Sequence, residues 1–268
     1  MKYLYGFIGC GNMGGVLAGV AAKAVGGENV AVCDHNEEKC AALKEKYGVN
    51  VLDAKTLAKN SKFVVMGVKP QVMKAAFSEI QADLAEREDV VVVSMAAGLG
   101  IEKIKTFAGE NFKGGVIRIM ANTPCALNEG VVLYSTMGVA NEDEKTFKQD
   151  FISAGLIDKI DEEKMDGASA LSGCGPAFVY YFAEGLIEGA KACGVPEKQA
   201  ADYATQVLIG SAKMLQTGEA PATLRKKVCS PKGTTIEGID ALEKGDFLSV
   251  VSSAIEAAYR RAKELQKS

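Results

Sequence analysis

A single histidine, six prolines, no Cys-x-x-Cys pair and little net charge define what this 268-residue chain does without. A formal charge of −3 gives no electrostatic footprint for wrapping nucleic acid, so no nucleic-acid partner is expected. The seven cysteines, at 10, 33, 40, 125, 174, 193 and 229, are odd in number and widely spaced. That spacing indicates neither a disulfide framework nor a zinc clip, so no metal is expected and a reducing cytoplasm fits best. With 48% hydrophobic and 24% charged residues, collagen-like and disordered readings are excluded. The length suffices for a sizeable core and for more than one domain. One segment imitates a targeting signal. No charge occurs from Tyr3 to Ala22, Lys2 precedes it, and Val20-Ala21-Ala22 resembles a cleavage site. Six glycines and Asn12 within it would make a poor membrane helix, whereas a strand, a tight turn and a helix account for every residue. No membrane partner is expected.

The first half alternates. Strands are expected at Tyr3–Ile8, Val30–Cys33, Val90–Ser94 and Gly115–Met120, with a short β-prone piece at Val49–Leu52 and an apolar run at Phe63–Val68. Helices are expected at Met13–Ala24, Glu37–Tyr47, Gln71–Leu84 and Ile101–Phe107; Asn36 is placed to cap the second and Gly48 to end it. Short apolar runs between helices are what a parallel sheet covered on both faces requires. Two more β-prone pieces, Val131–Ser135 and Leu156–Ile160, flank a helix opened by Asn141 and Glu144. Around Asp161 strands cease. Helices are expected at Pro176–Cys193, Pro196–Thr217, Pro221–Val228, Thr235–Leu242 and Asp246–Gln266; in the last, Val251, Ala254, Ile255, Ala258, Ala262 and Leu265 share a face. The division is therefore an α/β domain over 1–161 and an all-α domain over 162–268. The second is apolar over more than one stripe per helix, so intertwined subunits are expected.

Gly9-Cys10-Gly11-Asn12-Met13-Gly14 is a G-x-G-x-x-G that follows a strand and opens a helix, with Asp34 ending the next strand 20 residues past Gly14. Gly9 permits the sharp turn, Gly11 lets backbone approach a pyrophosphate, and Gly14 lets helix and sheet pack closely. The free N–H groups from Asn12 and Met13 onward face the phosphates. Asp34 accepts a ribose hydroxyl and repels a 2′-phosphate, which tilts the cofactor toward NADH; His35 and Asn36 soften that repulsion, and NADPH stays open. A hydride cofactor implies a redox partner. Carbonyl reduction usually wants an acid for the developing alkoxide, whereas hydride addition to an iminium carbon removes charge, so a site without histidine is compatible with imine reduction. In the second half, Leu171–Ala177 and Val228–Thr235 are small-residue turns running into helix N-termini. Each is a cradle for a small carboxylate, although Ser230, Thr234 and Thr235 taken singly read better as caps of their own helix.

These segments together resemble the pyrroline-5-carboxylate reductase family, nearly end to end. The resemblance is carried by Gly9–Gly14, Val68-Lys69-Pro70-Gln71, Ser94-Met95-Ala96-Ala97-Gly98, Arg118 through Pro124, Leu171–Ala177 and Leu224 through Thr235. It implies a Rossmann-type N-terminal domain joined to an all-α C-terminal dimerisation domain. It also implies NADPH- or NADH-dependent reduction of (S)-1-pyrroline-5-carboxylate to L-proline, in a homodimer with larger rings left open. By position it implies that Ser230 and the N–H groups of Gly233, Thr234 and Thr235 hold the substrate carboxylate and that Val228 packs on the ring. The Thr235 hydroxyl would bond the ring nitrogen and relay its proton. Val68, Lys69, Pro70, Ala97, Gly98 and Asn122 would belong to the cofactor site. Three positions depart from the family pattern: Ala121 replaces a proline, Cys174 a serine, and Lys232 a glycine, the last strained if it needs positive φ.

Two alternatives stand beside this reading. A 3-hydroxyacid dehydrogenase would want a catalytic lysine with a nearby asparagine on the interdomain helix; Lys191 has no such asparagine after it. A nucleotide sensor that kept the fold and lost the reaction would have no use for a second anion cradle.

Overall fold

In the computed structural model, residues 2–267 are described, with side chains to residue 264. The predicted contribution of Leu265 to the last helix face lies outside the described side chains. Among the described residues the chain forms two compact units.

The first unit, residues up to Cys174 together with those from Ala258 onward, is built on one eight-stranded sheet. In chain order its elements are β1 (Tyr3–Ile8), α1 (Asn12–Val25), β2 (Val30–Cys33), α2 (Glu37–Tyr47), β3 (Asn50–Val51), α3 (Ala54–Asn60) and β4 (Ser61–Met66). They continue with α4 (Pro70–Ala85), β5 (Val91–Ser94), α5 (Ile101–Ala108), β6 (Gly115–Ala121), β7 (Gly130–Met137), α6 (Asn141–Phe151), β8 (Gly155–Lys159) and α7 (Met165–Ser172). The strand order is β3-β2-β1-β4-β5-β6-β7-β8. Alternate residues of each strand feed opposite faces, as the two-residue period of a strand dictates. Phe7, Phe63, Val65, Val91 and Val93 enter one buried cluster with α1, α2 and α6, while Ile8, Val64, Met66 and Val92 enter a second with α3, α4 and α5. Burial on both faces explains the continuous apolar runs. Asn36 caps α2 by accepting the Lys39 N–H, and Gly48 ends it in the left-handed region at φ 70°.

The sheet is not wholly parallel: β7 runs antiparallel to β6, and β8 is parallel to β7. Residues 122–129 between β6 and β7 hold only a single-turn helix, Thr123–Leu127. A parallel return needs a crossover of a dozen or more residues, so the strand must double back. The reading from sequence divides the chain after Asp161, where strands end, whereas the compact units divide after Cys174. The cause is α7, which packs on β6 and β7 and whose Asp166 pairs with the buried Arg118 of β6 at 2.7 Å.

The second unit spans Gly175–Ala257 and is helical: α8 (Gly175–Ala192), α9 (Glu197–Leu215), α10 (Pro221–Val228), α11 (Thr234–Lys244) and the first half of α12 (Phe247–Lys267). Here α8 packs on α9, and the rings of Phe182 and Phe247 lie 5.8 Å apart. Yet α8 has no buried residue in the single chain, and Tyr181, Val207 and Leu248 are more than half exposed. Apolar surface on this scale calls for cover by another protein surface.

Candidate active site

The order reverses between β1 and β4, and the glycine loop sits at that switch, where open α/β sheets bind ligands. Gly9 turns at φ 96° and its N–H donates to the Cys33 carbonyl at 2.8 Å. Gly67, just after β4, donates to the Ile8 carbonyl at 2.7 Å, which brings Val68, Lys69 and Pro70 alongside the loop. A Cβ at Gly14 would overlap the Gly9 carbonyl oxygen, so helix and loop pack backbone to backbone. A Cβ at Gly11 would meet nothing within 4 Å, so the loop leaves open the space that a pyrophosphate needs. Helix α1 starts at Asn12 without a side-chain cap and without an acid in its first turn, so its N-terminal dipole and N–H groups, Met13 among them, are free for an anion. These residues fit a dinucleotide. Asp34 closes the loop from the side: its carboxylate accepts the Cys10 N–H at 2.6 Å and the Asn36 N–H at 2.9 Å. Burial opposes ionisation of Asp34, but those two donors and the Lys39 charge outweigh it and hold its pKa below the ordinary carboxylate range.

Pro70, Ala97 and Gly98 line one cavity of about 760 Å³, with Lys74, Arg118 and Glu162 among the other walls. That volume suits a small organic ligand or one end of a cofactor. Lys69 is exposed and Val68 half-buried at the same corner. The charged side of the cavity went unread in the sequence. Arg118 is 1% exposed, bonded to Asp166 at 2.7 Å and within 3.4 Å of Glu162, while Lys263 reaches Asp166 at 3.1 Å. Glu162 in turn accepts the Ile101 N–H at 2.6 Å and so caps α5. The available signal was an arginine inside the apolar strand Gly115–Ala121, where a lone charge must find partners.

Asn122 is buried, and its amide is engaged on both sides: Nδ2 donates to the Ser172 carbonyl at 2.8 Å, and Oδ1 accepts the Val131 N–H at 2.8 Å. It therefore clasps the end of β6 to the end of α7 and to β7. Asn122→Ala is expected to destabilise the chain by about 1–3 kcal/mol through the two stranded backbone groups, read as a fall in melting temperature.

In the helical unit, Ser230–Gly233 form a turn in which the Gly233 N–H donates to the Ser230 carbonyl at 3.0 Å. Pro231 in second place and Lys232 at φ 61° in third are the signature of a type II turn. The Gly233 donor is thus taken by the turn itself. Helix α11 starts at Thr234 with Gly233 as its cap residue and no side-chain cap, so the first-turn N–H groups of Thr234 and Thr235 face outward. The reading of Ser230, Thr234 and Thr235 as caps is not what the geometry shows. Ser230, Thr234, Thr235 and Val228 are all exposed in the single chain.

Comparison with known proteins places both halves. A family described as "Pyrroline-5-carboxylate reductase dimerisation" matches residues 162–265, and one described as "NADP oxidoreductase coenzyme F420-dependent" matches residues 4–98. The pyrroline-5-carboxylate reductase of Arabidopsis thaliana is 36% identical over 100% of this chain and 97% of its own. The chain belongs to the pyrroline-5-carboxylate reductase family. Among solved pyrroline-5-carboxylate reductases, that of Coxiella burnetii superposes with a TM-score of 0.90 at 30% identity over 100% of both chains. The Plasmodium falciparum enzyme with NADP bound superposes with a TM-score of 0.87 at 31% identity over 99% of both. Membership removes the hydroxyacid dehydrogenase alternative, and Lys191, which that reading required, pairs with Glu188 at 2.8 Å on the helix surface.

Of the departures from the pyrroline-5-carboxylate reductase pattern, Ala121 is the last residue of β6 and Cys174 is a half-buried free thiol. Lys232 matters more, because a lysine stands where the type II turn wants glycine. Lys232→Gly is expected to stabilise the protein by about 0.5–1 kcal/mol, the relief of left-handed strain exceeding the added unfolded-state entropy. Thermal melting checks this; a lower melting temperature would show that the lysine side chain makes contacts worth more than the strain.

Proposed function

We propose that this chain reduces (S)-1-pyrroline-5-carboxylate to L-proline, with the cofactor on the Gly9–Gly14 loop and the substrate carboxylate on the Ser230–Thr235 turn. The observation that carries the reading is the turn itself, a Pro-Lys type II turn that leaves the N-terminus of α11 uncapped in a chain of this family. When bound, the reduced nicotinamide cofactor supplies a hydride equivalent. Gly9, Gly11, Asn12, Met13 and Gly14 hold its pyrophosphate; Asp34 takes the adenosine ribose; Val68, Lys69, Pro70, Ala97 and Gly98 surround its other end. Asn122 acts by keeping the end of β6 in place. The N–H groups of Thr234 and Thr235 and the Ser230 hydroxyl fix the carboxylate, and Val228 packs on the ring. The Thr235 hydroxyl bonds the imine nitrogen and holds its proton, so that the carbon accepting hydride stays electron-poor. Rate enhancement comes mainly from orientation, with the carboxylate and the ring nitrogen pinned at two points.

The reaction is that of a homo-oligomer, its partner covering the exposed faces of α8, α9 and α12. No helix among the described residues is long and apolar enough to cross a membrane, and the seven cysteines are free thiols, which supports a reducing cytoplasm as the working compartment. The test is direct. Purified protein given pyrroline-5-carboxylate should oxidise NADH or NADPH and release one proline per reductant consumed; oxidation of neither defeats the reading.

A further inference from the structure

We infer that Asp34 makes this enzyme discriminate against a 2′-phosphate, so that NADH and not NADPH is its working reductant. The inference deepens the function proposed above and rests on it only for the reaction, not for cofactor binding. Asp34 follows directly on β2, and its side chain is 5% exposed. Its two oxygens are held by backbone: the Cys10 N–H at 2.6 Å on one and the Asn36 N–H at 2.9 Å on the other. Cys10 adjoins Gly11, so the carboxylate is braced against the same loop that receives the pyrophosphate. A side chain held by main-chain donors on both oxygens must give up two charge-assisted hydrogen bonds to swing aside for a second anion. A ribose 2′-hydroxyl donates to such a carboxylate, whereas a 2′-phosphate brings acceptors only and a like charge.

The surroundings offer little compensation. The first turn of α2 adds Glu37 and Glu38, both exposed, and between Ala24 and Leu43 the single lysine is Lys39 and there is no arginine. The Asn36 side chain turns its oxygen to the Lys39 N–H at 3.3 Å, which leaves at the start of α2 only a neutral amide donor and no charge to balance a phosphate. The exposed His35 ring lies against Asp34 itself, Nδ1 to Oδ1 at 3.2 Å. Over residues 34–39, three carboxylates thus stand against one lysine and one imidazole, so the segment that begins at Asp34 carries no net positive charge for a 2′-phosphate.

The test compares the parent with Asp34→Asn, which keeps an acceptor for the Cys10 N–H and removes the charge. Calorimetric titration with NAD+ and NADP+, which needs no substrate, is paired with kcat/KM for NADH and NADPH on pyrroline-5-carboxylate. The parent should favour the unphosphorylated cofactor by about tenfold or more in both readouts. Asp34→Asn should close that gap by about tenfold, mainly through tighter NADP+ binding. A parent that binds NADP+ as tightly as NAD+ overturns the inference, as does a gap unchanged in a folded Asp34→Asn; should the variant fail to fold, the parent's ratio still decides. Preferential NAD+ binding without turnover of the imine would sink the proposed reaction and leave this inference standing. Rapid turnover with NADPH at or above the NADH rate does the reverse.

Discussion

Gly11→Ala is expected to lose about a hundredfold in dinucleotide affinity, on the order of 2–3 kcal/mol, while the fold stays intact. The two effects separate because of where the added methyl goes. At Gly11 a Cβ meets no protein atom within 4 Å and the backbone lies at φ −66°, ψ −167°, which alanine adopts freely. The weaker helix cap and the smaller unfolded-state entropy offset one another, leaving stability within about 1 kcal/mol of the parent. The methyl then occupies only the space in which phosphate oxygens must approach backbone N–H groups. Gly14→Ala is the contrast, since its Cβ would overlap the Gly9 carbonyl oxygen with the Gly67 Cα 3.7 Å behind it. Helix α1 must move off the β1–β4 corner, at about 1–3 kcal/mol, so binding and melting temperature should fall together. Calorimetric titration with NADH beside thermal melting checks both. A Gly11→Ala protein that binds NADH like the parent would mean the phosphates lie elsewhere.

These glycines were legible in the sequence because spacing and context, strand before and helix after, encode a local geometry. The caps Asn36 and Gly48 and the bounds of α10 were legible for the same reason: each is a local choice of backbone conformation. Features that depend on distant partners were not. The turn direction of β7 follows from the length of its connection to β6, not from its apolar residues, which read alike either way up. Helix α3 was missed because only Leu57 and Ala58 of its seven residues are buried, too few to show a period, although Asp53 caps it at Thr56. Helix α7 was missed because its burial is set by Arg118, whose pairing with Asp166 spans 48 residues. The same limit applies to the candidate site. The residue types of Ser230–Thr235 suggested an anion cradle, but only the backbone shows that the Gly233 N–H is consumed by the turn and that Lys232 is left-handed. Asn122 likewise read as part of the cofactor site, and only the fold shows that its amide also clasps β6 to α7 and β7.

Thr235→Ala should lower kcat by about a hundredfold, with the cofactor's dissociation constant changed less than twofold. The size follows from what the site lacks. Hydride enters the imine carbon readily only while the nitrogen carries its proton, so some group must hold that proton in place during transfer. The one histidine, His35, lies against Asp34 just after β2, and no imidazole is left for the task. What the turn offers is a hydroxyl at the second position of α11, on a helix end whose uncapped N–H groups anchor the carboxylate in the function proposed. The hydroxyl and the helix donors proposed for the carboxylate therefore belong to Thr235 and its neighbour Thr234 on one rigid element, matching a ring whose nitrogen and carboxylate-bearing carbon are neighbours. Removing the hydroxyl leaves the anchor and takes the proton contact, so the loss should appear in kcat more than in the substrate KM. Thr235→Ser keeps the hydroxyl and should recover most of the rate; Thr235→Val keeps the shape and should not. Should Thr235→Ala turn over at the parental rate, the proton must reach the nitrogen from solvent, and the backbone donors of α11 would carry the catalysis by orientation alone.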